Sequence, residues 1–499
     1  RDGLGGDVLL PRRQARVAAS VGSVIIAPRL ERSWGRRRFA GGMWGYDTLK
    51  PGGARALTWR YAALTGALEL AIALPMPVLI LHLTGRGLDL AMVGLAFTVR
   101  ALLVVALELP TGGLADAIGR RPVALASQLF TLASFAALLF VTGPATALLY
   151  AVLQGIGAAL HSGALDAWFV DELHRVDPAA PLQRHLAVAD VAQAAGMLAG
   201  TAIGGLLPSL AAPLDLPWPL SGFGIALFAG VAMRALVWVG TAALVHEPDR
   251  PRVDGAVLRE GLRSVPAVLG DALRLTRDVA VLRWLLAAAA ASGLAMVSVE
   301  TFWQPIGATV FGSEAADSKG FAALGTLAGV AVLAGSLTVM RYGQAFPGGS
   351  AALAGVSMLV RGAAMLLFAM SGHATTLGAG LAVAYFALAT GNVPHDTLLH
   401  RAVPSGLRSS MLSVHSLVFS LGIAVASGPL GWLASVSSPR FALWVAGMAT
   451  LGASAAYAVV GRLERDAAAP APAHAGPRPE GLRLDEVAAP EGAEGGVLR

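Results

Sequence analysis

Glu108-Leu109-Pro110-Thr111-Gly112-Gly113-Leu114-Ala115-Asp116-Ala117-Ile118-Gly119-Arg120-Arg121 is a short polar, glycine-rich passage between two apolar runs, residues 91–111 and 122–142. Each run has about the 20 residues that an α-helix needs to cross the hydrocarbon of a bilayer. The passage therefore reads as a tight loop joining two membrane-spanning helices, with its arginines at the water interface. Working outward, ten further apolar runs follow the same pattern: 60–83, 145–171, 185–207, 220–245, 283–309, 321–340, 351–370, 376–399, 410–434 and 440–461. Twelve spans make an all-α membrane protein.

Composition agrees. The chain has 499 residues, 55% of them hydrophobic and 14% charged. A soluble domain carries about 25% charged residues because its surface must face water. The net charge is +6, but the arginines cluster between apolar runs, which is orientation charge and not a nucleic-acid face. Cysteine is absent, which excludes disulfides, thiolate metal sites and cysteine nucleophiles.

Residues 246–282, longer and more charged than the other gaps, divide the chain into two sets of six spans, 57–245 and 283–461. Residues 1–56 are studded with arginine and lie outside the fold; either the start is placed too far upstream, with Met43 nearer the true one, or this is a basic tail. Residues 462–499 turn to Ala, Pro, Gly and Glu without periodicity, the composition of a disordered tail. The even-numbered gaps hold Arg120, Arg121, Arg175, Arg184, the series Arg250 to Arg283, Arg341, Arg401 and Arg408, against Arg86, Lys319 and Arg440 in the odd ones. Positive residues stay inside, so both termini are expected in the cytoplasm of a multi-pass cell-membrane protein.

The loop quoted above resembles the signature G-x-L-a-D-r-x-G-r-r of the major facilitator superfamily. Gly112, Leu114, Asp116, Gly119, Arg120 and Arg121 match, and Ala117 replaces a basic residue. The resemblance covers residues 57–461 and implies two pseudo-symmetric six-helix halves working by alternating access. Asp116 could lie against the helix N-terminus near Ser409 and Ser410, and Arg120 could pair with Asp171. Such contacts would form a latch between the halves.

Span 4 carries Gln154-Gly155-Ile156-Gly157, similar to the family's R-x-x-Q-G-x-g, with Ala151 where the arginine stands. In span 5, Gly196, Gly200, Gly204 and Gly205 resemble the antiporter motif g-x-x-x-G-P-x-x-G-G, with Thr201 in place of proline. That motif implies export; generic small-residue helix packing is the other reading.

Ionisable residues at membrane depth are costly and mark function by default. Glu69 in span 1 and Glu300 in span 7 open the two halves, five or six residues before Pro75 and Pro305. Either carboxyl could load and release a proton. Counting about 1.5 Å per residue puts Glu69 and Arg100 at similar depth, so a structural ion pair is the alternative for Glu69. Asp190, Arg234 and Arg361 also fall inside spans. Trp303 and Phe302 beside Glu300 are candidates for an aromatic substrate wall, and Trp168, Trp218, Trp432 and Trp444 for interfacial anchors. Asp396 and His400 lie one helical turn apart at the end of span 10, where interfacial charge is the plainer reading; no metal and no cofactor are expected.

The expectation is a monomeric secondary transporter, taking a small-molecule substrate and protons, that exports an amphipathic, drug-like molecule. A proton-coupled importer is the alternative on the same fold. An enzyme is disfavoured, since neither H-E-x-x-H nor G-x-S-x-G occurs; the absence of G-x-x-x-x-G-K-[S/T] speaks against bound ATP.

Overall fold

Long apolar runs leave a chain in lipid one economical choice, a helix that satisfies its own backbone groups. In the computed structural model this is what they become. The structure describes residues 53–112, 114, 118–161, 163–247, 270, 273–404 and 407–468. Among these are twelve membrane-crossing segments: Ala54–Gly85, Leu90–Glu108, Arg120–Leu139, Pro144–Val176, Leu182–Leu214, Gly224–Leu244, Ala280–Phe311, Ala315–Ala345, Gly349–Met370, Ala374–Ala402, Met411–Val436 and Pro439–Ala467. They are numbered spans 1 to 12. An even number returns the chain to the side it started from; the end where span 1 begins and span 12 finishes is here the terminal end, the opposite one the far end. The expectations for residues 1–52 and 469–499, and for most of the central gap, lie outside the described residues.

Three spans depart from the simple pattern. Span 1 breaks at Pro75, with a helix over Ala54–Ala73, a 3₁₀ turn at Met76–Val78 and a second helix over Leu79–Gly85. Proline lacks the N–H that would continue the ladder and its ring crowds the preceding turn. Span 7, by contrast, is continuous from Ala280 to Phe311 through Pro305. Span 4 divides into Pro144–His161 and Ala164–Val176 at Gly163, whose φ of 76° suits glycine. Span 12 ends in a helix over Ala455–Ala468, so the first residues of the expected tail are helical.

Without a hydrophobic drive between helices in lipid, close backbone approach through small residues holds them together. Gly196, Gly200 and Gly204 of span 5 lie on the backbone of Gly66, Leu70 and Leu74 of span 1. A Cβ on Gly204 would fall 1.7 Å from the Leu74 carbonyl oxygen. Across the halves, Gly94 of span 2 lies on Ser427 and Gly431 of span 11, and Gly205 of span 5 lies on Ala322 of span 8.

The apolar cores show where the halves meet. One core joins Val78, Leu79 and Leu83 to Phe302, Trp303 and Phe321 at the far end. At the terminal end each half keeps its own: Leu57, Tyr61 and Trp168 in one, Leu282, Leu285 and Tyr457 in the other. Among the described residues the core shared by the halves lies toward the far end, and toward the terminal end each half has a core of its own.

Candidate functional site

The signature loop meets span 3 at Gly119, whose φ of 97° explains a glycine there. The next two backbone N–H groups, of Arg120 and Arg121, donate to the Glu247 carboxylate at 2.9 and 3.2 Å. A carboxylate belongs at a helix N-terminus, where unpaired N–H groups converge. Arg121 Nη2 donates to the Ala242 carbonyl at 2.7 Å. Arg120 donates to the Ala167 carbonyl, and its Nη1 lies 2.5 Å from Asp171 Oδ2.

Arg120 and Asp171 thus meet, but they join span 3 to span 4 within one half, so this pair cannot itself hold the halves together. Asp171 is 65% exposed, a setting in which an ion pair contributes about 0–1 kcal/mol. Gly112 ends the helix of span 2. Asp116 and the side chains of Ser409 and Ser410 lie outside the described residues.

At membrane depth, each half buries an arginine. Arg234 of span 6 is buried, donates from Nη1 to Thr131 Oγ1 at 3.0 Å, and lies 4.2 Å over the Phe135 ring. Glu69 of span 1 is half-buried. Glu69 and Arg100 form no ion pair; similar depth did not mean facing sides, and the Arg100 charge acts instead on Tyr150 of span 4. In the second half the Tyr385 hydroxyl donates to Glu300 Oε1. Buried Arg361 of span 9 completes this group, its field acting on both Glu300 and Tyr385.

Beside the Glu300 group is a cavity of about 300 Å³ in the terminal-end part of the second half, lined by Met358, Arg361, Asn392, His395, Asp396 and His415 among others. A smaller space of about 10 Å³ lies between Arg361 and Tyr385. Arg361 and Leu388 line both spaces. Trp303 does not line either one. It is 5% exposed and packs against Phe321, ring centroids 6.1 Å apart, because helix 7 has by then entered the core shared at the far end. Trp168 is likewise buried and donates to the His246 carbonyl, whereas Trp218, Trp432 and Trp444 are exposed as interfacial residues should be.

The far end is fastened by polar contacts as well. Gln304 of span 7 reaches the broken part of span 1: its Nε2 donates to the Met76 carbonyl at 2.8 Å, and its Oε1 accepts from Ile80 N–H at 2.8 Å. The Met76 carbonyl and the Ile80 N–H, which would bond each other in an unbroken helix, are thereby satisfied from the opposite half. The Ser209 N–H donates to Ser318 Oγ at 3.0 Å nearby. At the terminal end, Ser416 Oγ of span 11 donates to Glu108 Oε1 of span 2 across the halves at 2.8 Å.

Twelve membrane-crossing segments among the described residues, with arginine buried at membrane depth in each half, make the architecture of a membrane carrier. The chain belongs to the major facilitator superfamily, whose model matches residues 62–360, more than half its length. It is a secondary transporter of small molecules. No curated protein matches it. Among solved structures it is similar to a variant of the nucleoside transporter NupG, with 12% identity, 81% of this chain and 99% of that one covered, and a TM-score of 0.65. A bacterial homolog of the human lysosomal transporter Spinster, inward-facing and unoccupied, has 16% identity, coverage of 84% and 99%, and a TM-score of 0.63. A peptide transporter, POT, in complex with sulfate has 14% identity, coverage of 82% and 95%, and a TM-score of 0.63.

Sequence reasoning passed over Glu247, Gln304, Tyr385, His415 and Tyr457. Tyr385 and Gln304 carried a usable signal, being polar groups within apolar runs. Glu247, at a span end, carried none.

Proposed function

We propose that this transporter exchanges protons for a small amphipathic molecule that it exports, with Glu300 as the proton carrier and both termini in the cytoplasm. The observation that supports it most is the Glu300–Tyr385–Arg361 group, a carboxyl held at membrane depth beside a chamber toward the terminal end of the bundle.

Charge balance gives the coupling. With Glu300 ionised, Arg361 has a counter-charge within its own half. Protonation of Glu300 leaves Arg361 uncompensated, and a conformation that hydrates or otherwise pairs it gains. A proton taken up on one side thus shifts the bundle toward the other, by as much as the two states differ in affinity for it. The arginine distribution places the terminal end inside, so the arrangement described is the inward-facing one. The Gly196–Gly205 run, which resembles the antiporter motif, favours export. Asp116, Arg120 and Arg121 then belong to the side that must close when the far end opens.

Inside-out vesicles carrying a proton gradient, read with a pH dye during addition of lipophilic cations and neutral drugs, test this. A compound that dissipates the gradient with the wild type but not with Glu300→Gln is the expected result. Equal responses from both proteins, or none from either, would overturn the assignment.

A further inference from the structure

Spans 10 and 11 place a second cluster on the wall of the same chamber. His395 Nε2 lies 3.0 Å from His415 Nε2, and one carboxylate oxygen of Asp396 completes a set of three ligand atoms within 4.8 Å of one another. His395 is 6% exposed and its Nδ1 lies 2.8 Å from the Tyr457 hydroxyl of span 12. His415 is half-buried and Asp396 exposed to the chamber.

The geometry points to a binding site for one divalent first-row transition-metal ion, held by His395, His415 and Asp396 in the chamber of the second half. Two neutral imidazoles turned nitrogen to nitrogen must otherwise share a single N–H. If Tyr457 accepts from the Nδ1–H of His395, the Nε2 lone pair faces His415, and a cation between the rings satisfies both. Ligand atoms about 2.0–2.1 Å from a tetrahedral ion stand roughly 3.3 Å apart, close to the separation the histidines already have. A hydrogen bond to the second ring nitrogen is the usual device for orienting a metal-binding histidine, and Tyr457 supplies one. Two imidazoles and a carboxylate suit zinc, cobalt or nickel better than calcium or magnesium, which prefer all-oxygen cages. The fourth position opens on the chamber, so a bound ion could be cargo or could hold a donor group of the substrate.

The inference does not rest on direction of transport or on proton coupling, and its test needs neither. The full chain, purified in detergent without a polyhistidine tag, is titrated with cobalt(II), followed by its visible absorption, and then with competing zinc(II). One ion per chain is expected. His395→Ala and His415→Ala should each weaken binding by at least about 100-fold, and Tyr457→Phe by about 10-fold. Glu69→Gln, in the first half, should leave it unchanged. If a histidine variant does not fold, as judged by gel filtration and thermal melting, Asp396→Asn on the exposed ligand decides, with a loss of about 10-fold expected. No saturable binding to the wild type, or binding that survives both Asp396→Asn and Tyr457→Phe undiminished, overturns the site and leaves the pair a simple hydrogen bond.

Discussion

The first half buries Arg234 of span 6, whereas the second buries Arg361 of span 9. Spans 1 and 7 open their respective halves, and spans 6 and 9 do not correspond under a six-helix repeat. The two halves therefore share helices and a buried arginine but not its wiring. In the first half the arginine is spoken for: Thr131 accepts from it and Phe135 lies beneath it. Among the described residues no side-chain hydrogen bond holds Glu69. In the second half the acid is the held partner, through Tyr385, and the arginine borders the chamber. A repeat that keeps the fold can thus dedicate one copy to structure and the other to exchange with solvent.

The sharpest way to break that contrast is to neutralise both acids. Glu300→Gln should abolish substrate-dependent proton movement. Glu69→Gln should leave its initial rate within about threefold, as expected for a change of no more than about 0.5 kcal/mol. Reversed magnitudes would move the exchanging site to the first half, and equal losses would mean that the halves share the work.

Some of this wiring could be read from the chain and some could not. Hydropathy located all twelve spans, because lipid imposes their length and polarity directly. It misplaced ends: the helices of spans 1 and 12 run on to Ala54 and Ala468, beyond the apolar stretches. Buried charges were legible as charges at depth. Their partners were not, because depth follows from counting residues while facing depends on how each helix is rotated against its neighbours. Counting residues sets Glu69 level with Arg100, yet the two form no ion pair. His395 and His415 stood far apart in the list of residues and became neighbours only through the packing of spans 10 and 11. The two prolines also looked equivalent. Pro75 breaks its helix because Gln304 is there to receive the freed backbone, whereas span 7 runs through Pro305.

That asymmetry carries the next prediction. Gln304→Leu would leave the Met76 carbonyl and the Ile80 N–H without partners in an apolar seam, at about 1–3 kcal/mol for each buried group. The loss falls only on the state in which the far end is sealed. Since the chain has no native cysteine, a single Ala322→Cys beside Gly205 reports on that seam by its rate of thiol labelling. The rate should rise by about tenfold or more when Gln304→Leu is added, at 1.4 kcal/mol per factor of ten. Unchanged labelling would mean that the glycine contacts alone seal the far end.

A smaller effect is expected at the opposite end, where Ser416 donates to Glu108 across the halves. One hydrogen bond to a charged group contributes about 1.5–3 kcal/mol at most, and less where water can replace it. The second carboxylate oxygen, Oε2, is buried with no partner, so Glu108 is incompletely served even with Ser416 in place. Ser416→Ala should therefore open the terminal end further by about 1 kcal/mol, some fivefold in population. Ser292 lines the chamber below this bond, and Ser292→Cys offers a thiol whose labelling follows the opening. A rise larger than Gln304→Leu produces at the far end would invert the comparison, making this polar contact the stronger fastening. A rise of a few-fold keeps the far end as the seal and the terminal end as the side poised to move.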